Sequence, residues 1–536
     1  MADAAFTRLG WKSPTATLAA AVALLALAGA ARAQVQVQTL APPDLFSVGV
    51  GKSDLSPDLW RGSSGALARA AIPTLATRPM TPAATALARK LLSAGASGPD
   101  GAGDDLDLAA ARLSALLALG NAGSVESIAD RTPNLAQKPA LAQVAAEAAL
   151  VRGEDDKACG IETSLTDGRD GAYWLRLRAY CQAKAGQAPS AQLTLSLAEQ
   201  QGRHADYERL MNAMLAGGDP GVPVLDDGLD YALSRRLSPN GWVQAMPTAS
   251  AAVAVAVARD ATAPATARVE AAARAVRLGL PVPEAYVGLT PPADIAAANQ
   301  LGPTGEAMLM ALAGATTDLT LKQAALAALL KRAQSQDEFQ ALSRLAAPGI
   351  ASLVQANAVF GEPPVFAAAC AVAGDGACAK AVRAQVGADA PPLGLALLDA
   401  LIAASAGSPD SAVVQAVDAA GRGSDSAGAQ RAAGALALLG ALGAPVDAQG
   451  RFDLDLADLG PGRIPTGRQR ALELSAAGGH AGDVALYVLI TAAEAGPAGP
   501  SVGDRAALVR ALDQAGLKTE ARAYAVEGLL AIQARP

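Results

Sequence analysis

The sequence predicts an all-α protein: an irregular α-solenoid of antiparallel helix hairpins, degenerate and tetratricopeptide-like. Three observations carry that expectation. Hydrophobic residues make up 51% of the 536 residues but aromatics only 3%. Ala, Leu and Val must therefore form the core, and Ala and Leu are strong helix formers whose small side chains let helices approach closely. Amphipathic segments of roughly 10–18 residues recur, each ended by Gly, Pro or an Asx/Ser turn. Helix, short Gly turn, helix then repeats at a spacing of about 30–40 residues, the pattern of stacked two-helix layers that bury their faces against neighbours. A large β-sandwich would need more Val, Ile, Thr and aromatic residues.

The first element is a targeting segment. Residues 1–33 match a secretory signal peptide, with Arg8 and Lys12 as the positive n-region, an apolar helix over residues 15–30, and Ala31-Arg32-Ala33 as the small-x-small cleavage site. Cleavage is expected between Ala33 and Gln34. An uncleaved anchor would need ~20 apolar residues to span a bilayer, more than this Ala-rich stretch offers. Ala30 stands where a lipoprotein would carry its Cys, which excludes lipidation there. No later run is long enough to span, so the mature chain is expected to be soluble, with no stable membrane insertion, and periplasmic. Its formal charge moves from −7 to −9 with loss of the leader. An acidic chain without a basic stripe is a poor nucleic-acid binder.

Residues 34–56 lack helical periodicity and read as a flexible leader. A helical-repeat block follows over 57–218. Within it, Thr81-Pro82 opens one helix ended by Gly95; Asp104 to Leu119 is closed by Gly120, and Asn134 to Arg152 by Gly153. Ala172 to Ala185 and Ala188 to Gln201 pair around Gly186. The stretch 219–240, with Pro, Gly and Asp-Asp, should separate this block from a central one, so that the central block spans 219–441. The pairs 303–314 with 318–334 and 391–405 with 409–420 belong there. Residues 442–466 read as an extended loop or arm, since the alternation Phe452, Leu454, Leu456 suggests a short strand. An ordered loop in a rigid array often makes contacts, although an ordinary insertion fits as well. Residues 467–536 return to helical hairpins, including 504–514 with 519–533.

The four cysteines form two sequence-local pairs, Cys159 with Cys181 and Cys370 with Cys378. An even count fits an oxidising space and allows three connectivities, of which local pairing is the simplest. Cys370 and Cys378 would lie ~12 Å apart on an unbroken helix, too far for a bridge. Gly374-Asp375-Gly376 should break that helix. Neither pair has the CxxC spacing of a redox or metal thiol site.

Catalytic, cofactor and metal motifs are not expected. Gly51-Lys52-Ser53 resembles the end of a phosphate-binding loop, but Phe46 occupies the required Gly position and Ser56-Pro57 blocks the following helix. His204 and His480, the only histidines, have no ligand-spaced partners and read as surface residues. Carboxylate chemistry needs no histidine, so a peptidoglycan-associated enzyme or enzyme subunit is the alternative function, with a superhelix like that of lytic transglycosylases. Glu473, Glu494, Glu520 and Glu527 sit on ordinary amphipathic faces, however, and no C-terminal catalytic module is visible. Asp104-Asp105 and Asp155-Asp156 fall at helix N-termini, where they complement the dipole. Thr residues are scattered, so no ice-binding face forms.

Around Trp174, Leu177, Cys181, Ala191 and Leu195 the chain resembles a tetratricopeptide unit, with Arg178 in place of the usual Gly. Leu59-Trp60-Arg61-Gly62, the Cys159…Trp174…Cys181-Gln182-Ala183 hairpin, and Gly516-Leu517 with Glu520-Ala521-Arg522 together resemble a group of Ala-rich exported proteins of Gram-negative bacteria, often labelled antifreeze-glycopeptide-like. The resemblance implies periplasmic residence and a helical-repeat fold. The expected function is that of a non-catalytic scaffold or adaptor binding protein partners of an envelope assembly, a step from fold to function by analogy.

Overall fold

The computed structural model of the protein describes residues 44–50, 54–286, 289–387, 390–407 and 409–533. The signal segment, its Ala33–Gln34 junction and Gly51-Lys52-Ser53 lie outside them. Among the described residues every named element is a helix, and an isolated parallel bridge joins Ser64 to Asp100.

Local rules place most helix ends. Pro82–Ser93 starts on Thr81, whose side chain accepts from the Ala84 N–H, and Pro at the first turn gives up a donor that would have no partner. Leu106–Ala118 starts on Asp105 in the same way. Ala172–Lys184 and Ala188–Gln201 flank Gly186, whose φ of 76° is the left-handed conformation that glycine adopts without a Cβ clash. Consecutive helices pack on one another: these two, Ala251–Arg259 on Ala265–Arg277, Pro303–Ala315 on Leu319–Lys331, and Val502–Gln514 on Lys518–Ile532. The buried faces are rich in Ala, with Leu and Val between, as the composition requires.

Four segments depart from expectation. The helix expected from Asn134 begins at Pro139, because Asn134 is left-handed (φ 54°) and Leu135–Gln137 forms a separate 3-10 turn; the residue before a proline is pushed out of the α region. The stretch 219–240 contains a helix, Gly228–Leu237, capped by Asp227 and packed on Pro139–Val151 and Ala205–Ala216. The strand suggested at Phe452, Leu454 and Leu456 is instead the helix Ala448–Leu456. Asp447 caps it through Gly450 N–H at 2.9 Å and Gln449 donates to Asp453 one turn on, at 3.0 Å, so local helical bonds outweigh a short alternation.

The fourth departure is the leader. Its residues 44–50 are packed, not loose. Phe46 is fully buried, edge-on to Trp60 with ring centroids 5.9 Å apart. The Asp44 carboxylate accepts from Phe46 N–H (2.8 Å) and Gly98 N–H (2.6 Å). Arg112, only 2% exposed, donates to the carbonyls of Leu45, Phe46, Val48, Leu92 and Ala94 at 2.7–3.4 Å. One guanidinium thus ties this segment to the end of the 82–93 helix. Burial lowers its pKa to about 10.

The largest feature absent from any local pattern is that the two ends of the described chain meet. Gly65–Ala71 and Pro82–Ser93 pack on Ala481–Ala495, and Pro82–Ser93 also packs on Lys518–Ile532. Across this seam Ser64 N–H donates to Asp483 (3.1 Å), Ala83 N–H to Glu527 (2.8 Å) and Lys90 Nζ to Glu520 (2.6 Å). Gly482 N–H reaches Leu59 O at 2.9 Å. A Cβ on Gly482 would lie 2.6 Å from Trp60 and from Ser63 Oγ, so only glycine permits that approach. In an open repeat array each unit touches only its neighbours. Here residues more than four hundred positions apart share one core.

Candidate functional site

Three features stand out from the helical framework: a cavity at the seam, a buried acidic cluster, and an exposed apolar arm.

The seam cavity has a volume of about 420 Å³ and is walled by residues 75–89, by Ala118 and Leu119, by residues 251 and 274–278 of the helices Ala251–Arg259 and Ala265–Arg277 and the turn after the second, and by Asp337 and Pro497. Arg78, Arg89, Arg274 and Arg277 line it, with Asp337 the one acid among them. Arg89 donates through Nε to Leu119 O (2.7 Å) and through its terminal nitrogens to Gly279 O (3.1 Å) and Leu278 O (2.8 Å). Three carbonyls from two helix ends thereby hold a cation without a carboxylate, and burial lowers its pKa to about 10. Arg274 donates Nε to Ala249 O at 2.7 Å. Arg277 is neutralised by Glu306 (2.5 Å) and Glu338 (3.1 Å). Burial raises the Asp337 carboxyl to about 6, with Glu527 pushing the same way and Arg505 against it.

The acidic cluster lies where Gly228–Leu237 meets Pro139–Val151. Glu147 is buried, and its Oε2 accepts the Gly228 N–H at 2.6 Å. Burial, then the nearby charge of Asp227, lifts its pKa from 4.5 to about 8. Asp230, 2% exposed, is lifted to about 7 by burial and then Asp227. His204 accepts the Tyr207 N–H at Nδ1 (3.3 Å) and sets Nε2 3.8 Å from Asp230. Its ligand atom and those of Asp227 and Asp230 lie within 4.8 Å of one another, so these three are the described residues that could hold a metal ion. Asp227 already spends Oδ1 on the Asp230 N–H at 2.8 Å, so the arrangement first explains itself as a capped helix start.

A pH test follows. A carboxyl whose folded pKa is raised stabilises the fold fully below its unfolded value and less as pH climbs through the folded one. For Glu147 that window runs from 4.5 to about 8, overlapped by Asp230. E147Q keeps an acceptor for Gly228 and removes one titrating proton. Its loss of stability with rising pH should therefore be shallower than wild type by up to about 1.4 kcal/mol per pH unit, with E147Q the more stable protein at pH 8.5. Urea midpoints at pH 5, 7 and 8.5 measure this; parallel curves for the two proteins would refute it.

The arm is Ala448–Leu456. Leu454 leans on the core, while Phe452 is 55% and Leu456 69% exposed. Beside it a groove of about 340 Å³ runs between the helices Ser411–Arg422 and Ser426–Ala441, with Asp418, Arg422 and Asp453 on its wall. Residues 457–465 then run along the start of the helix Val502–Gln514, where Gly503 N–H donates to Leu459 O (3.1 Å) and Arg463 N–H to Asp504 (2.7 Å).

The predicted cysteine pairs come together. Cys159 with Cys181, and Cys370 with Cys378, each have Cα atoms 5.7 Å apart with their sulfurs at disulfide distance. Gly374 (φ 83°) turns the chain between the helices Pro363–Val372 and Gly376–Arg383, as the Gly-Asp-Gly sequence demands. His204 and His480 are both half-buried and not merely solvated: His480 Nδ1 lies 3.3 Å from Arg61 O on the seam. The functional-looking residues that sequence reasoning passes over are Arg89, Arg112, Glu147, Asp230, Arg274 and Asp337. Nothing in their local sequence separates them from the polar face of an amphipathic helix.

Compared with protein-family models, with curated proteins and with solved structures, the chain finds no match.

Proposed function

We propose that the mature protein is a non-catalytic, periplasmic helical-repeat scaffold or adaptor, a tetratricopeptide-like α-solenoid of helix hairpins closed on itself where its described ends meet, that binds protein partners of an envelope assembly. The observation that carries this reading is the arm. Phe452 and Leu456 stand one turn apart, 55% and 69% exposed, on a helix that Leu454 packs against the core and Gly450 seats on the body. Apolar side chains at that spacing are how helices engage partner grooves, and an exposed apolar pair beside a polar rim is the usual look of a contact surface. The two cysteine pairs fit an oxidising compartment. No described helix is long and apolar enough to cross a membrane.

The test is affinity capture after crosslinking in intact cells, with wild type and F452E/L456E in parallel. Wild type should bring down the same envelope proteins reproducibly. The variant, with unchanged helical circular dichroism, should lose them. Capture that is equal for both, or no reproducible partner, would sink the adaptor reading. Release of soluble muropeptides from peptidoglycan by the purified mature chain would replace it with the enzymatic alternative.

A further inference from the structure

We propose that the seam cavity binds a small organic anion, its carboxylate or phosphate head held by Arg78, Arg89 and Arg274 and its apolar body lying against Leu75, Met80 and Leu278. The charge balance of the lining is the first ground. Arg277 is cancelled by Glu306 and Glu338, whereas Arg89 and Arg274 are held by backbone carbonyls alone. Arg78 stands exposed in the same lining and makes no ion pair among the described residues; the nearby Glu494 carboxylate, which feels its charge, is paired with Arg468. Against these three cations the cavity sets only Asp337.

The second ground is donor geometry. A guanidinium has five N–H groups. Arg89 spends three of its on carbonyls, and those bonds fix its plane. Arg274 spends one, at Nε, which leaves its terminal nitrogens for a planar acceptor. Carboxylate and phosphate are the acceptors that such forks suit, in bidentate bonds stronger than neutral ones. A guanidinium already immobilised loses little further freedom when it binds, so affinity is not spent on ordering it.

Size and polarity are the third ground. At about 420 Å³ the cavity has the dimensions of a small-molecule site, and Leu75, Met80, Leu119 and Leu278 give it an apolar wall behind the cations. Its walls come from the N-terminal, central and C-terminal parts of the chain, so an occupant would touch all three. The inference is independent of the adaptor reading, because anion binding and partner capture can fail separately.

Isothermal titration of the full mature chain at pH 7.5 tests it, using octanoate, octyl phosphate, octanol and octylammonium below their micelle-forming concentrations. At least one anion should bind, at least tenfold more tightly than the alcohol or the ammonium, and the order of the two anions identifies the head group. R78Q/R274Q should weaken that anion at least tenfold, and A118F, which fills the cavity from its wall, should do the same with helical circular dichroism retained. D337N should tighten it. No anion binding, equal binding of octanol or octylammonium, undiminished binding to R78Q/R274Q or A118F, or loss of binding in D337N would each overturn the proposal.

Discussion

Replacing Arg505 with Gln is expected to cost about 3–5 kcal/mol of stability, the range for removing one partner of a buried ion pair. Arg505 and Glu527 have side chains only 4% and 6% exposed, joined at 2.5 Å. Glu527 also accepts the Ala83 N–H at 2.8 Å, so this carboxylate ties the last two helices to the start of Pro82–Ser93. Without Arg505 it would stay buried with a single neutral donor. Denaturant titration should show the midpoint falling sharply. Native-state hydrogen exchange should show protection lost together in residues 82–93 and 502–532, although they are remote in sequence. A double variant, R505M/E527M, should recover part of the loss, since an apolar replacement leaves no unpaired charge. If R505Q is within about 0.5 kcal/mol of wild type, the range of an ordinary surface substitution, or if exchange increases at one end only, the ion pair does not hold the seam.

The second large effect is expected at Arg112. R112M keeps the length and apolar stem of the side chain and deletes its donors. It leaves the carbonyls of Leu45, Phe46, Val48, Leu92 and Ala94 without this partner. A buried polar group left unsatisfied costs about 1–3 kcal/mol, and water reaching the freed carbonyls near the surface will offset part of the sum. A net loss of about 4 kcal/mol is the expectation. The distinguishing readout is local: limited proteolysis should cut R112M within residues 44–50 under conditions where wild type resists. Cleavage at the same rate in both proteins would show that other contacts hold the segment.

Much of the helical framework was legible because its signals are local. Thr81-Pro82 and Asp105 act through backbone groups within one turn, and Gly186 and Gly374 occupy conformations that favour glycine. The Gly374-Asp375-Gly376 break even predicts that Cys370 and Cys378 can meet. What escaped is everything decided at long range. Ala83 and Glu527 are separated by 444 positions, and no periodicity within either helix announces the other. His204, Asp227 and Asp230 converge because the helices Ala205–Ala216 and Gly228–Leu237 start side by side, across a loop that reads as a spacer. Arg112, Arg89 and Arg274 look like solvent-facing charges of amphipathic helices until the carbonyls around them are known. The arm failed for the opposite reason. Three alternating apolar residues are too few to outweigh an N-cap and a one-turn side-chain bond.

The joined ends also govern the order in which the molecule can be completed. A chain emerging from its N-terminus has its 65–93 helices early, yet their partners at 481–532 arrive last. Until then the surfaces around Trp60, Ala83 and Leu87, all buried in the finished protein, remain uncovered. Contacts of such high sequence separation form late and slow the approach to the native state. A nascent or truncated chain lacking its final two helices would therefore be a sticky object, and shortening this protein by whole hairpins would leave an unsealed fragment where an open array would leave a smaller working version of itself.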